Sequence, residues 1–312
     1  MGDIVTMDDL TNQEIVAVLD DAERLVPVAR GDVYLPLLQG KVLANMFFEN
    51  STRTRMSFET AMKRLGGSVL NFTSIGTSVA KGETLYDTMQ MIDGYADVAA
   101  IRHPRQGAAQ YSADAVEIPI LNAGDGAGNH PTQTMLDLFT IRQAHGTLEG
   151  LNVVLVGDLR YGRTVHSLSH ALVRFGAKLT LVSPSTLKMP VEIVSDLREH
   201  GSEIMETDIL EDQIAGADVI YVTRIQKERF PDEDEYAKVA GIYKIGASDL
   251  SGAMKGMIIM HPLPRVDEID PGVDSTEFAR YFEQAFNGVP TRMALLCSCL
   301  LYTSDAADDL RC

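Results

Sequence analysis

The chain has 312 residues, and 44 acidic against 27 basic side chains give it a formal net charge of −17. That length suits about two domains of ~100–200 residues, and 45% hydrophobic with 23% charged residues excludes wholesale disorder. The acidic balance excludes bulk binding of nucleic acid or anionic membrane, which needs a basic face, but not a small anion held in a locally basic pocket.

In chain order, Lys41–Phe48 is a buried-strand candidate. Thr54–Leu65 follows as a helix with Phe58, Met62 and Leu65 on one face, stopped by Gly66-Gly67. Val69–Phe72 predicts a strand, Leu85–Tyr95 a helix, Asp97–Arg102 a strand, Gly107–Val116 a helix and Ile118–Asn122 a strand. This β-α-β-α-β-α-β run predicts an α/β fold with a parallel sheet covered on both faces. A helix over Thr132–Ala144 then leads into the same grammar again. Strands are expected at Asn152–Gly157, Leu179–Ser183, Glu203–Glu206, Val219–Arg224 and Met257–Met260, with helices at Thr164–Phe175 and Glu192–His200 between them. Glu277–Phe286 and Arg292–Leu296 read as two closing helices. The run Asp232-Glu233-Asp234-Glu235 reads as a solvated helix start. The expectation is two doubly wound domains: 1–132 with a C-terminal helix at about 289–298 packing back on it, and 133–288.

No run of ~18 apolar residues predicts a membrane span. The start, Met1-Gly2-Asp3-Ile4-Val5-Thr6, lacks the basic region of a secretory signal. It fits the loose myristoylation pattern, and an ordinary N-terminus is the preferred reading. All three cysteines, Cys297, Cys299 and Cys312, fall in the last sixteen residues. A disulfide framework, a zinc site and a cysteine nucleophile are therefore excluded from the main body, and a reducing cytosol is the expected compartment.

The polar motifs fall where strands hand over to helices. Ser51-Thr52-Arg53-Thr54-Arg55 opens a helix, where free N–H groups and the helix dipole favour an anion. Two arginines in a first turn are electrostatically wrong for a bare helix. A Ser/Thr cap with two exposed arginines and an anion site both fit the residues. Lys81-Gly82-Glu83-Thr84 lacks the spacing of a phosphate-binding P-loop and alone reads as a loop and cap. His130-Pro131-Thr132-Gln133 follows a glycine-rich stretch at another strand-to-helix junction, the rim where open α/β sheets bind ligands. Gly157-Asp158-Leu159-Arg160-Tyr161-Gly162-Arg163-Thr164 lacks the G-x-G-x-x-G fingerprint of dinucleotide folds, and Arg163 repeats the logic of Arg53. Thr223-Arg224-Ile225-Gln226 adds a guanidinium and an amide. In His261-Pro262-Leu263-Pro264-Arg265 two prolines remove N–H donors and leave carbonyls facing outward; a rigid turn is the plain alternative. The set suits a substrate carrying several negative charges and a reaction run by positioning and electrostatics, without metal or cofactor.

These motifs, with Phe47-Phe48-Glu49 and Ile101-Arg102-His103-Pro104, occur in the order found in the catalytic chains of aspartate carbamoyltransferases. The resemblance covers nearly the whole chain up to about Leu296. It implies the transcarbamylase fold, a cytoplasmic location and transfer of a carbamoyl group from carbamoyl phosphate to L-aspartate, the committed step of pyrimidine biosynthesis. The ornithine-specific relatives typically carry His-Cys-Leu-Pro where this chain has His261-Pro262-Leu263-Pro264, and lack the Arg-x-Gln pair, so aspartate is favoured over ornithine. By the resemblance, Ser51, Thr52, Arg53 and Thr54 hold the phosphate, and Arg102 bridges phosphate and carbonyl oxygen. His130 donates to that carbonyl with help from Thr54. Gln133 and the carbonyls of Pro262 and Leu263 take the carbamoyl amino group and the attacking amine. Arg163 pairs with the α-carboxylate of aspartate, and Arg224 with Gln226 reads the β-carboxylate. Ser78 and Lys81 reach in from a neighbouring subunit of a homotrimer, and a regulatory chain is a possible further partner. The other classes weighed are a non-catalytic anion- or amino-acid-binding module on this fold and a nicotinamide-dependent oxidoreductase, which the missing fingerprint disfavours.

The chain departs from the family at four places. Asn50 stands where Pro or Ala is usual. Ala80 stands where a second Lys is common, which predicts weaker substrate affinity. Ala127-Gly128-Asn129 replaces Ser-Asn-Gln before His130, which predicts a looser His130. The stretch 299–312 resembles a translated sequencing adapter, so a non-native tail is expected there.

Overall fold

Runs of Val, Leu, Ile and Ala that are apolar on both faces form central strands of parallel sheets, because helices cover both sides. The central strand β1 (Val42–Phe47) is almost wholly buried, and so is β4 (Ile120–Asp125) at one edge, where Ile4 bridges to Leu121, whereas the other edge strand, β2 (Ser68–Thr73), has no fully buried position. The computed structural model describes residues 2–73, 81–126, 128–225, 239 and 241–301. They divide into two compact units. One runs to Phe139 and resumes at Phe286; the other is Thr140–Ala285.

The first unit begins with α1 (Asn12–Arg30), capped by Thr11 and Glu14 at its start and by Gly31, in the left-handed region, at its end. Then β1, α2 (Thr52–Arg64), β2, α3 (Leu85–Asp93), β3 (Val98–His103), α4 (Ala108–Ala113), β4 and α5 (Pro131–His145) follow in strict alternation. The sheet order is β2-β1-β3-β4, all parallel. The chain winds outward in one direction from β1 and in the other from β3, so the switch point lies between those two strands. One core beneath the sheet joins Ala44 and Met46 of β1, Ala99 and Ile101 of β3, Met89 and Ile92 of α3, and Ile120.

The second unit runs β5 (Asn152–Val156), α6 (Arg163–Val173), β6 (Lys178–Val182), α7 (Val191–Glu199), β7 (Ile204–Thr207), α8 (Glu211–Ile214), β8 (Val219–Val222) and β9 (Ile258–Met260). Its sheet order is β7-β6-β5-β8-β9, again all parallel, with the switch point between β5 and β8. Val154, Val156, Ile220, Val222 and Ile259 share a buried core with Tyr243, Ile245 and Tyr281.

The two-domain parallel α/β architecture expected from the sequence is the architecture found, and most elements lie within two residues of their expected ends. One difference has a clear physical cause. The two closing helices are one helix, α9 (Tyr281–Leu301), with Pro290 inside it. Pro290 reads as a break because it removes one helical N–H, but the buried run Thr291–Cys299 rewards continuing the helix. α1 carries no expectation from sequence. α9 also includes Cys299, Leu300 and Leu301, assigned by sequence to the tail; Cys299 is buried and its thiol is pushed up to about 12 by burial. Gln226, the acidic run at 232–235, Ser78, Ala80, Ala127 and the tail from Tyr302 lie outside the described residues.

Candidate active site

In open α/β sheets, ligands bind outside the carboxyl ends of the strands at the switch point. Each unit places two arginines there: Arg53 and Arg102 in the first, Arg163 and Arg224 in the second. In the first unit, β1 ends at Phe47, and the next residue, Phe48, donates its N–H to the Arg102 carbonyl (2.9 Å), locking the ends of β1 and β3 together. Ser51 is the N-cap of α2 and makes no side-chain cap bond, and no acidic residue occupies the first turn. Its hydroxyl is therefore not spent on the helix. Thr52, exposed, and Thr54, buried, flank the exposed Arg53. Burial pushes the Arg53 guanidinium below its ordinary value, and the charge of Arg102 adds to the effect. Arg102 is lowered by burial too, with Glu49 acting against it; Arg102 Nε lies 3.3 Å from Glu49 Oε2. Two mutually repelling guanidiniums beside a helix N-terminus form a place where an anion lowers the free energy.

The polar residues below this rim hold it in shape. Asn45, fully buried in β1, donates to the Arg55 carbonyl (3.1 Å) and to Asn71 Oδ1 (3.0 Å), tying the first turn of α2 to the sheet. Asp125 closes β4 by accepting from the N–H groups of Gly107 (2.7 Å) and Asn129 (3.0 Å) and from Asn122 (3.2 Å). That carboxylate fixes the loop leading to His130, which is buried and whose carbonyl accepts the first helical N–H bonds of α5 from Gln133 and Thr134. Gln133, half-buried, donates to Asp137 (3.0 Å) one turn on. Lys81 is exposed. Thus Ser51, Thr52, Arg53, Thr54 and Arg102 come together at one rim, and His130 and Gln133 sit at the neighbouring strand-to-helix junction of the same sheet.

In the second unit, Arg163 opens α6 after β5, and Arg224 follows β8, the strand beside β5; both are half-buried. The loop before Arg163 is shaped by buried Asp158, which accepts from the Tyr161 N–H (2.9 Å). β9, next to β8, ends at His261-Pro262-Leu263. Leu263 has φ +56, the one non-glycine residue with positive φ among those described, and the Leu263–Pro264 bond is cis. Arg163, Arg224, Pro262 and Leu263 therefore share one sheet end. Sequence reasoning singled out neither Asp125, Asp137 nor Glu268. Each is a buried carboxylate among N–H donors, and a sequence shows the acid but not its partners.

Residues 2–143 match the family model described as "Aspartate/ornithine carbamoyltransferase, carbamoyl-P binding domain", and residues 149–299 match "Aspartate/ornithine carbamoyltransferase, Asp/Orn binding domain". The chain belongs to the aspartate/ornithine carbamoyltransferase family. It is 54% identical over 302 residues to the aspartate carbamoyltransferase catalytic subunit of Archaeoglobus fulgidus, covering 96% of this chain and all of that one. The catalytic subunit of M. jannaschii aspartate transcarbamoylase superposes with a TM-score of 0.91 at 49% identity, over 97% of this chain and 99% of that one. The Trypanosoma cruzi aspartate transcarbamoylase, solved in complex with carbamoyl phosphate and aspartate, gives 0.91 at 42% identity over 96% and 97% of the two chains. The two matched spans correspond to the two units, each with its own parallel sheet.

Proposed function

We propose that the chain transfers the carbamoyl group of carbamoyl phosphate to the amino group of L-aspartate, giving N-carbamoyl-L-aspartate and phosphate. The observation that carries the reading is the pairing of arginines at both switch points: Arg53 with Arg102 in one unit, Arg163 with Arg224 in the other. One pair suits a phosphate and the other a dicarboxylate, since a planar guanidinium binds either group through two parallel hydrogen bonds.

In this reading Ser51, Thr52, Arg53 and Thr54 hold the phosphate. Arg102 and His130 stabilise the oxygen that becomes negative when the amine attacks the carbamoyl carbon. Gln133 and the carbonyls of Pro262 and Leu263 accept the amino N–H groups, Arg163 and Arg224 orient the two carboxylates, and Gln226 assists Arg224. The C–N bond forms, the C–O bond to phosphate breaks, and the proton lost by the amine passes to the leaving phosphate, with no covalent enzyme intermediate. Ser78 and Lys81 act across subunits of a homotrimer, a regulatory chain is a further partner, and the setting is cytoplasmic pyrimidine synthesis. Similarity to catalytic subunits of this activity supports these points.

A carbamoyl-phosphate assay with aspartate and ornithine side by side tests the proposal. Carbamoyl aspartate alone is expected. Product only with ornithine overturns the substrate assignment, and none with either favours a binding module. Sedimentation of the purified chain tests the trimer.

A further inference from the structure

The end of β9 carries a side-chain relay that the proposed chemistry does not use. His261 is 1% exposed and Glu268 6%. His261 Nδ1 accepts the backbone N–H of Leu263 at 2.8 Å, so its ring proton sits on Nε2, which donates to Glu268 Oε1 at 2.7 Å. The other carboxylate oxygen of Glu268 accepts the N–H groups of Val266 and Asp267, both at 3.0 Å. The backbone N–H of His261 donates to Gln284 on α9 at 2.8 Å. Every one of these partners lies in the second unit.

The bond from the Leu263 N–H to the ring is local, two residues ahead, as in turns where a side chain stands in for a backbone acceptor. It spans Pro262, which has no N–H of its own, and it ends on Leu263, held at φ +56. That backbone region is disfavoured for a non-glycine residue and persists only when its surroundings over-determine it. The same device recurs in the first unit. At the end of β3, His103 Nδ1 accepts the N–H of Arg105 at 3.0 Å across Pro104. There the ring is only half-buried, whereas at β9 the ring is buried and a carboxylate fixes its proton and its plane.

We propose that His261 is a positioning residue for the transfer reaction: by accepting the Leu263 N–H, and being oriented by Glu268, it aims the Pro262 and Leu263 carbonyls at the amino groups of the substrates. This rests on the function proposed above, in which those carbonyls are acceptors. Misplacing a positioned group by ~1 Å costs about a hundredfold in rate, which is the scale expected when the relay is broken.

The test separates the two ends of the ring. His261→Asn puts a carbonyl oxygen where Nδ1 stands and keeps the Leu263 bond. His261→Gln reaches toward Glu268 but offers no acceptor at the Nδ1 position. Steady-state kinetics on the full-length chain should show H261N within about tenfold of the parent in kcat/KM, and H261Q down by about a hundredfold, with the loss in kcat. Thermal unfolding of both gives the readout a purely structural role would move alike. A folded H261Q with parental kcat and KM overturns the proposal. If H261Q does not fold, H261N decides: a hundredfold loss in the folded H261N protein overturns it, and near-parental kcat supports it. A parent that makes no carbamoyl aspartate overturns the function reading itself, an outcome distinct from an active parent with an unaffected H261Q.

Discussion

Gly157 at the end of β5 lies against Thr223 at the end of β8 so closely that a Cβ on Gly157 would stand 2.4 Å from the Thr223 carbonyl oxygen. Gly157 also has φ +114, a conformation that side chains rarely adopt. This contact sits at the switch point of the second sheet, between the strands that lead to Arg163 and Arg224. Gly157→Ala is therefore expected to destabilise the protein by about 2 kcal/mol or more and to splay those two strand ends. Thermal unfolding and the aspartate KM check it together: a variant with parental Tm and parental KM would show that the close approach has no consequence.

The same strand end shows what a sequence can and cannot disclose. β5, Gly157 and the helix opening at Arg163 were legible because an apolar run, a glycine and a new helical period follow one another. The capping box Thr11-x-x-Glu14 and the terminal Gly31 of α1 were equally present, but no strand precedes that helix to frame it as part of the alternation. The sequence pattern gives two closing helices where α9 runs unbroken; Pro290 between them is a local signal against helix, and burial of the second half, a tertiary fact, overrides it. Arg53, Arg163 and Arg224 were legible from their place after strands, and Arg102 only from the family resemblance. The carboxylates beneath them were not, since Asp125 meets Gly107 and Glu268 meets His261 only after the chain folds.

Arg292 on α9 is fully buried in the first unit. It donates to the Gly288 carbonyl at 3.2 Å and to Thr132 Oγ1 at 3.4 Å, and it lies 5.0 Å from the centre of the Phe58 ring. Burial pushes its guanidinium down to about 9, against the opposing pull of the Asp137 carboxylate. Asp137 also accepts from Gln133, a proposed substrate residue. Removing one member of a buried charge pair leaves the other uncompensated, so Arg292→Leu is expected to destabilise by about 3 kcal/mol or more, whereas Arg292→Leu with Asp137→Asn should recover much of that loss. Chemical denaturation of the two single variants and the double variant gives the coupling directly. Additive losses would sever the link between the two residues.

Glu268 ties stability to acid pH. Burial raises its carboxyl, but hydrogen bonds from His261 and from backbone amides outweigh burial and bring it from 4.5 down to about 2. A carboxylate whose value is lower in the folded than in the unfolded chain stabilises fully above the unfolded value and loses that contribution as pH falls toward the folded one. The window is therefore from about pH 4.5 down to about pH 2, and the shift corresponds to on the order of 3 kcal/mol. Glu268→Gln should lower stability at neutral pH and flatten its dependence on pH across that window. Denaturation midpoints measured from pH 6 downward would contradict this assignment if the two proteins lost stability in parallel.

Arg163 and Arg224 make separable predictions from Arg53. A lysine at either position keeps the charge but gives up the planar fork that meets a carboxylate through two hydrogen bonds. Arg163→Lys and Arg224→Lys are each expected to raise the aspartate KM by roughly tenfold to a hundredfold, equivalent to about 1.4–2.7 kcal/mol. Both side chains are half-buried in the second unit, so the KM for carbamoyl phosphate should change little. Arg53→Lys, in the first unit beside Arg102, should do the reverse. Initial-rate kinetics with each substrate varied against saturating partner gives all six constants. If Arg53→Lys raised the aspartate KM while Arg224→Lys raised that of carbamoyl phosphate, the assignment of phosphate to one sheet end and dicarboxylate to the other would have to be exchanged.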